Sequence, residues 1–268
     1  MVRKARESDG VSRRSKRLWL VAILGYLFLY APLAIVVVYS FNDSRLNAQW
    51  VGFTLDWYRK LFHNEEMLGA AWNSLLIALT ASAVSTVLGT MAGYAMYRFK
   101  LRLLPVLVVA PIAIPEILTG VSLLIFFVGI DLTLGLTSII LAHIAFCVGF
   151  VAIVVRARLA GMDESLVEAA RDLGATAFQA FRLVTLPLIM PGVIAGALMA
   201  FTLSIDDFVI TYFTAGAGAL TLPLEIYTMV KISVTPEVNA ISTLLMLLTL
   251  ALIVVASRLS PSALRAGG

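Results

Sequence analysis

Long apolar runs separated by short polar stretches dominate this sequence. Six runs are each long enough for a helix that crosses a bilayer, which needs about 20 residues. They cover residues 18–40, 69–97, 103–129, 136–159, 188–213 and 239–259. The period-two alternation of a membrane barrel is absent, and backbone in lipid must satisfy its own hydrogen bonds. The pattern therefore predicts an all-α polytopic membrane protein with six transmembrane helices.

The composition supports the same class. Of the 268 residues, 60% are hydrophobic and only 13% are charged, and the mean hydropathy is +0.96. A soluble domain carries about 25% charged residues. The first run is too long for a cleaved signal peptide and no clear cleavage motif follows it, so we expect a retained helix. With the single cysteine Cys147, the chain supports no disulfide framework.

The positive charges predict the orientation. All but four of the 20 Lys and Arg residues fall in the N-terminal segment, the second and fourth connections, and the tail. The exceptions are Arg45, Arg59, Lys60 and Lys231. Because cytoplasmic loops carry the excess of Lys and Arg, both termini are predicted to be cytoplasmic. We expect a basic segment 1–17, a membrane domain 18–259 and a tail 260–268. The net charge of +4 reflects this sorting and not nucleic-acid binding.

Two longer loops are predicted on the outer side. The first, 41–68, contains Trp50, Trp57 and Tyr58, which either mark the membrane interface or dock an outside partner. The last, 214–238, contains an apolar stretch between two prolines, which predicts a short helix over 224–230.

The connection 160–187 is polar where its surroundings are apolar, yet it carries an apolar stripe with helical spacing. The stripe consists of Leu159, Met162, Leu166, Ala169, Ala170, Leu173, Ala177 and Phe181. Gly174 interrupts it at a position that suits a left-handed C-terminal cap. We therefore predict two short helices, over about 166–173 and 177–185, with Pro187 in the first turn of the fifth span.

Both short helices carry a sequence signature for their start. Ser165 and Glu168, and again Thr176 and Gln179, have the spacing of a capping box, in which side chains satisfy free N–H groups. On physical grounds alone, capping and turn formation account for Glu168 and Gly174 as well as partner docking does.

The same connection resembles the cytoplasmic loop of ATP-binding-cassette importer permeases. In those permeases Glu-Ala-Ala is followed by Gly and then by Leu-Pro at fixed spacing. The matching residues here are Glu168, Ala169, Ala170, Gly174, Leu186 and Pro187. Val184 stands two residues before Leu186, at the position where the family pattern has Val or Ile. The resemblance implies that these residues form a coupling helix, which docks in a groove of the ATPase and moves when the nucleotide-bound ATPase dimer closes.

The wider sequence resembles the spermidine/putrescine branch of that family, and within it the smaller of two permease subunits. The stretches that carry this resemblance are Tyr39-Ser40-Phe41-Asn42, Pro115-Glu116, residues 201–207 and residues 235–240. It implies a type I importer fold in a bacterial inner membrane. It also implies a second permease subunit, two ATPase subunits and a periplasmic polyamine-binding protein as partners.

The chain is not expected to be an enzyme. It contains no G-x-x-x-x-G-K-[ST] phosphate-binding loop, so ATP and Mg are expected to bind to the partner subunits, and no cofactor is expected here. It also contains no G-x-S-x-G or H-E-x-x-H motif of the kind an intramembrane hydrolase needs. Neither His63 nor His143 has the neighbours of a metal site, and His143 is read as a satisfied packing residue.

Three acids, Glu116, Asp206 and Asp207, lie within apolar runs, and no Lys or Arg at mid-depth offers a partner within the chain. A charge at the bilayer centre costs about 2.5–3.5 kcal/mol, so some interaction must offset each one. One interpretation is an anionic track for a linear polycation, with Tyr212 contributing a cation–π contact. The other is that the acids pair with a second subunit or cap a broken helix.

Pro111 and Pro115 predict a kink in the third span close to Glu116. At about 1.5 Å per residue, Glu116 would lie about 20 Å from the cytoplasmic end of that span.

The alternative cargo for the same kind of importer is an amino acid derivative or ferric ion. A passive channel is a further alternative, but it would not need a loop that docks an ATPase.

Overall fold

The computed structural model describes residues 2–44, 49–99, 103–232 and 235–259, and it is helical through most of them. The helices in chain order are α1 (Val2–Tyr39), α2 (Asp56–Leu61), α3 (Glu65–Arg98), α4 (Leu103–Ala113), α5 (Glu116–Gly129), α6 (Leu136–Ala160), α7 (Ser165–Asp172), α8 (Ala177–Ala180), α9 (Leu186–Ile205), α10 (Val209–Thr214), α11 (Leu222–Ile232) and α12 (Pro236–Leu259). The predictions for Arg45, Lys100, Arg102 and the tail 260–268 lie outside the described residues.

The predicted second, fourth and sixth spans correspond to α3, α6 and α12. The first span lies in α1, which begins upstream at Val2 and therefore includes the basic segment. Among the described residues, four helices are long and apolar enough to cross a bilayer, and a fifth crossing is counted if α4 and α5 form one bent span. A shorter apolar helix covers Pro236–Ala251. The prediction of six spans is consistent with these helices but remains a prediction.

The third predicted span is broken and not merely kinked. Helices α4 and α5 meet at an angle of 107° around Ile114 and Pro115. Proline lacks an N–H and disfavours helical backbone in the residue before it, which explains a break at this position. The 20 Å depth predicted for Glu116 assumed one straight helix, and the 107° angle removes that assumption. Glu116 is instead the exposed first residue of α5.

The chain divides into two compact units. One comprises Met1–His63 and Met229–Leu247, and the other comprises Asn64–Thr228 and Leu248–Gly268. In the second unit, α6 packs against α3, α4 and α9 and supplies much of the buried core. Glycine permits these close approaches: a Cβ built at Gly89 of α3 would lie 2.5 Å from Cβ of Val151 on α6. Small residues at such contacts are typical of helices that pack within a membrane.

In the first unit, the outer loop folds around a buried asparagine. The side-chain oxygen of Asn42 accepts a hydrogen bond from the Val51 amide at 2.9 Å, and its backbone carbonyl accepts one from Trp57 Nε1 at 2.8 Å. Trp57 is buried, whereas Trp50 is exposed. The Tyr58 hydroxyl lies 2.7 Å from that of Ser40. Packing within the loop therefore accounts for the burial of Trp57 and the position of Tyr58, and the interfacial and docking roles remain predictions.

The last outer loop contains the predicted short helix. It is longer than expected, because α11 covers Leu222–Ile232. In the second unit, two side chains of α3 hold the start of this helix. Ser74 Oγ accepts a hydrogen bond from the Leu222 amide at 2.8 Å, and Asn73 donates to the Leu220 carbonyl at 2.9 Å. These contacts hold the first turn of α11 against α3.

Candidate functional site

The connection 160–187 has the predicted bend at Gly174. This glycine has a φ of +91°, in the left-handed region. Its amide donates to the Arg171 carbonyl at 2.9 Å, and the Ala175 amide donates to the Ala170 carbonyl at 3.0 Å. These two bonds form a Schellman motif, which satisfies the last carbonyls of α7. The prediction of a left-handed glycine cap between two short helices is confirmed.

One of the two predicted capping boxes is present. The Gln179 amide donates to Thr176 Oγ1 at 3.3 Å, and the Thr176 amide donates to Gln179 Oε1 at 2.8 Å. The box predicted for Ser165 and Glu168 is wrong. Asp163 provides the acceptor instead, because its Oδ1 lies 3.0 Å from the Ser165 amide. Hydrogen bonds from the Ser165 side chain and amide hold the pKa of the Asp163 carboxyl below its usual value.

The second arm of the connection does not end at residue 185 as predicted. A π-helical turn over Phe181–Thr185 joins α8 to α9, so the helical backbone is continuous over Ala177–Ile205. Pro187 lies in the first turn of α9, as predicted, although the helical run itself begins earlier, at Ala177. Its missing N–H cannot donate to the carbonyl of Leu183, and the wider π turn accommodates that loss.

One face of this connection is exposed and apolar. Among the resemblance residues, Glu168, Ala169, Gly174 and Pro187 are exposed, whereas Ala170 and Leu186 are half-buried. Four large apolar side chains are also exposed: Leu166, Leu173, Phe178 and Leu183. Leu173 next to the bend is 90% exposed. Such an unpartnered apolar face is typical of a docking surface.

The opposite face of the connection and the end of α3 together line a partly open cavity of about 140 Å³. Two α3 tyrosines contact the two arms. The Tyr97 hydroxyl donates a hydrogen bond to Glu164 before α7, and the Tyr94 ring packs on Phe181 with centroids 4.9 Å apart. Sequence reasoning missed both tyrosines, although aromatic residues three apart at the end of a span are a recognisable signal. The end of α3 therefore holds both arms of the connection.

The fifth predicted span is also broken, and its two acids lie at the break. Helix α9 ends at Ile205 and α10 starts at Val209, with Asp206 and Asp207 between them. The Asp207 carboxylate accepts hydrogen bonds from the amides of Ile210, at 3.4 Å, and Thr211, at 2.8 Å. It thereby caps α10, which is the second interpretation offered for the acids.

Asp207 also has the intrachain partner that the sequence did not reveal. His143 Nε2 of α6 lies 3.3 Å from Asp207 Oδ2. The prediction that the acids lack a partner within the chain is therefore wrong for Asp207. His143 is buried, as a packing residue would be, but it also makes polar contacts on both sides of its ring.

Asp206 differs from its neighbour. It is exposed, and its carboxylate has no partner side chain among the described residues. Asp207 and Glu116 both lie within electrostatic range of it. Glu116 is brought near because α5 packs closely on α10: a Cβ at Gly120 would lie 2.8 Å from the Phe213 ring. The structure therefore brings Glu116 near Asp206 and Asp207, although Glu116 lies some 90 positions earlier in the sequence.

An aromatic cluster follows the break. Phe208 lies 5.7 Å from Tyr212 and 4.7 Å from Tyr227 of α11, measured between ring centroids. Tyr212 and Tyr227 are 6.5 Å apart and both are exposed. Tyr212 was predicted from the sequence, whereas Phe208 and Tyr227 were missed, because only the fold brings α11 to α10. Exposed carboxylates beside aromatic faces can bind organic cations.

Comparison with known proteins gives the family. The family model for binding-protein-dependent transport system inner membrane components matches residues 67–262. The chain is 42% identical over 236 residues to the putrescine transport system permease protein PotI of Escherichia coli (strain K12), covering 84% of each chain. It is also 42% identical over 232 residues to the spermidine/putrescine transport system permease protein PotC of the same strain, covering 85% of this chain and 88% of PotC.

Solved structures support the fold. A bacterial ABC transporter involved in import of the acidic polysaccharide alginate aligns with a TM-score of 0.72 at 19% identity, over 92% of this chain and 96% of the other. The MetNI methionine ABC transporter aligns with a TM-score of 0.64 at 23% identity, over 74% of this chain and 98% of the other. The fold is thus that of a type I ABC importer permease, and the chain belongs to the family of binding-protein-dependent transport system inner membrane components.

Proposed function

We propose that this chain is a permease subunit of an ATP-driven importer of polyamines, putrescine or spermidine, and that it forms half of the translocation pathway. The observation that carries the proposal is the 42% identity, over more than four fifths of the chain, to two permeases named for these cargoes. An amino acid derivative or ferric ion as cargo has no comparable support.

The chemistry at the helix breaks supports a cationic cargo. Putrescine and spermidine are linear chains with ammonium groups, and each ammonium group needs a carboxylate, a carbonyl or an aromatic face once water is removed. Asp206 and Glu116 are exposed carboxylates, and Tyr212 adds an exposed ring. Asp207 is bound internally, so its proposed role in the pathway is indirect.

The cytoplasmic connection supports coupling to ATPase subunits. The segment that contains Glu168, Ala169, Ala170 and Gly174 would dock in an ATPase groove, and Leu186 and Pro187 lie where the second arm enters α9. ATP and Mg bind to the partners, so this chain itself is not an enzyme and holds no cofactor. Closure of the ATPase pair would move the continuous helix Ala177–Ile205 and so change the pathway at its far end.

The remaining parts of the assembly follow from this role. The partners are a second, different permease subunit, two ATPase subunits and a periplasmic polyamine-binding protein. The chain spans a bacterial inner membrane with both termini in the cytoplasm, so that the connection 160–187 and the ATPase subunits lie on the same side. The basic residues near the N-terminus would then face anionic lipid on the cytoplasmic side.

Uptake measurements test the cargo. Cells that lack other polyamine importers and carry a deletion of this chain should take up little radiolabelled putrescine or spermidine, and the wild-type chain should restore uptake. Labelled methionine uptake serves as the control and should be unaffected. Normal polyamine uptake in the deletion strain would show that the cargo assignment is wrong.

A further inference from the structure

A buried histidine joins the two sides of the break between α9 and α10. His143 of α6 lies with Nδ1 2.7 Å from Ser204 Oγ, in the last turn of α9. On the other side of the ring, Nε2 lies 3.0 Å from Thr211 Oγ1 of α10 and 3.3 Å from Asp207 Oδ2. The side chains of His143 and Asp207 are only 3% and 6% exposed.

The hydrogens can satisfy every contact in this network. The Thr211 hydroxyl donates to Asp207 Oδ2 at 2.8 Å, so its oxygen is free to accept from Nε2–H. In that neutral tautomer Nδ1 accepts from the Ser204 hydroxyl. A doubly protonated ring would donate on both sides and would also neutralise the Asp207 charge. Either form bonds to α9 and α10 at once, which a side chain with polar atoms at one end cannot do.

A broken helix inside a membrane needs such a device. The break leaves N–H and C=O groups without helical partners, and an unsatisfied backbone group in an apolar environment is costly. Asp207 satisfies two N–H groups of α10, and His143 fixes Asp207 from a neighbouring helix. The flanking residues Asp206 and Phe208 are thereby held in one orientation.

We infer that His143 is a positioning residue for transport: together with Asp207 it holds the α9–α10 break in a single geometry and so fixes the direction of Asp206 and Phe208. The link to cargo rests on the proposed function, whereas the fixation of the break does not. His143 does not itself contact cargo.

Thiol accessibility tests the fixation without reference to cargo. Ile210 of α10 is fully buried just beyond the break. In the assembled transporter, Ile210→Cys should react slowly with a water-soluble maleimide, and adding His143→Gln or His143→Leu should speed the reaction by about tenfold or more, because the break opens locally. Gln keeps one end of the bridge, so its effect should be the smaller of the two.

The chain offers a matched control one helical turn away. Cys147 lies on the same face of α6, and its Sγ contacts the Ala200 carbonyl of α9 at 3.6 Å, away from the break. Cys147→Ala also removes the native thiol, so it serves as the background for every variant. Ile210→Cys should stay protected in this background. Copurification with the partner subunits shows that each variant is folded.

Transport kinetics test the positioning. His143→Gln should raise the KM for polyamine uptake several-fold with little change in the maximal rate, since cargo is gripped less well while coupling is intact. Equal protection of Ile210→Cys with and without His143 would overturn the inference, as would an unchanged KM in His143→Gln when Asp206→Asn raises it. Normal polyamine transport by Asp206→Asn would instead count against the proposed pathway and leave the labelling result as the test of fixation.

Discussion

Two adjacent aspartates show how far the same residue type can differ within one turn of chain. The Asp207 carboxylate accepts hydrogen bonds from two backbone amides and contacts His143, whereas the Asp206 carboxylate is exposed. The sequence predicts only that both are costly within an apolar run. The structural role of Asp207 depends on the position of His143, which lies more than 60 positions earlier in the chain, and for this reason we propose only Asp206 of the two as a direct contact of the cargo.

This difference predicts that Asp207→Asn mainly lowers the stability of the chain and that Asp206→Asn mainly lowers uptake. Asp207→Asn removes an acceptor oxygen from a buried network and should lower the stability of the chain by about 1–3 kcal/mol. Asp206→Asn should leave stability unchanged and reduce polyamine uptake. Thermal unfolding in detergent and initial uptake rates measure the two effects. Equal loss of stability in both variants would contradict the assignment.

At the scale of elements, two of the three local signals were predicted correctly, since the Ser165–Glu168 box is replaced by Asp163, and the long-range contacts were not predictable. Gly174 and the Thr176–Gln179 box act within a few residues, so spacing alone indicated them. The continuity of α8 with α9 was missed because a π turn over Phe181–Thr185 absorbs the effect of Pro187. The 107° break between α4 and α5 was underestimated as a kink, since the angle depends on the helices against which each half packs.

The bend between α7 and α8 gives a prediction at this scale. Gly174→Ala places a Cβ in left-handed backbone, which costs about 1–2 kcal/mol even though the surrounding space is open. The bend should therefore be distorted and the ATPase subunits should bind less tightly, as measured by copurification. Gly161→Ala is the control, because Gly161 has a φ of −96° and lies in the same connection. Similar retention of ATPase in both variants would argue against a specific role for the bend.

The contact between α3 and the connection gives a second prediction. Tyr97→Phe removes the hydroxyl that donates to Glu164 and keeps the ring. We expect the ATPase subunits to remain bound, but fewer polyamine molecules to be transported per ATP hydrolysed, because the first arm is no longer held to α3. The ratio of uptake to phosphate release in proteoliposomes measures this. An unchanged ratio would show that the contact is not needed for coupling.

At the scale of the whole molecule, close helix packing in the second unit holds the breaks and the connection in one framework. The apolar runs predicted which segments are helical, but not which glycines allow α3 to approach α6. Gly89→Val should clash with Val151 and destabilise the chain by about 1–3 kcal/mol or more. Gly69→Val, in the same helix with open space around it, should have little effect on the yield of folded protein. Comparable losses for both would contradict the packing.

We propose that this framework moves a polyamine when partner subunits hydrolyse ATP. This transport is tested most directly by reconstituting the chain in proteoliposomes with its second permease, ATPase and binding-protein partners, and measuring accumulation of labelled putrescine, spermidine and methionine. We expect ATP-dependent accumulation of at least one polyamine and not of methionine, and loss of that accumulation in Glu168→Arg. ATP-driven accumulation of methionine, or none of either polyamine by a complex that hydrolyses ATP, would contradict this proposal.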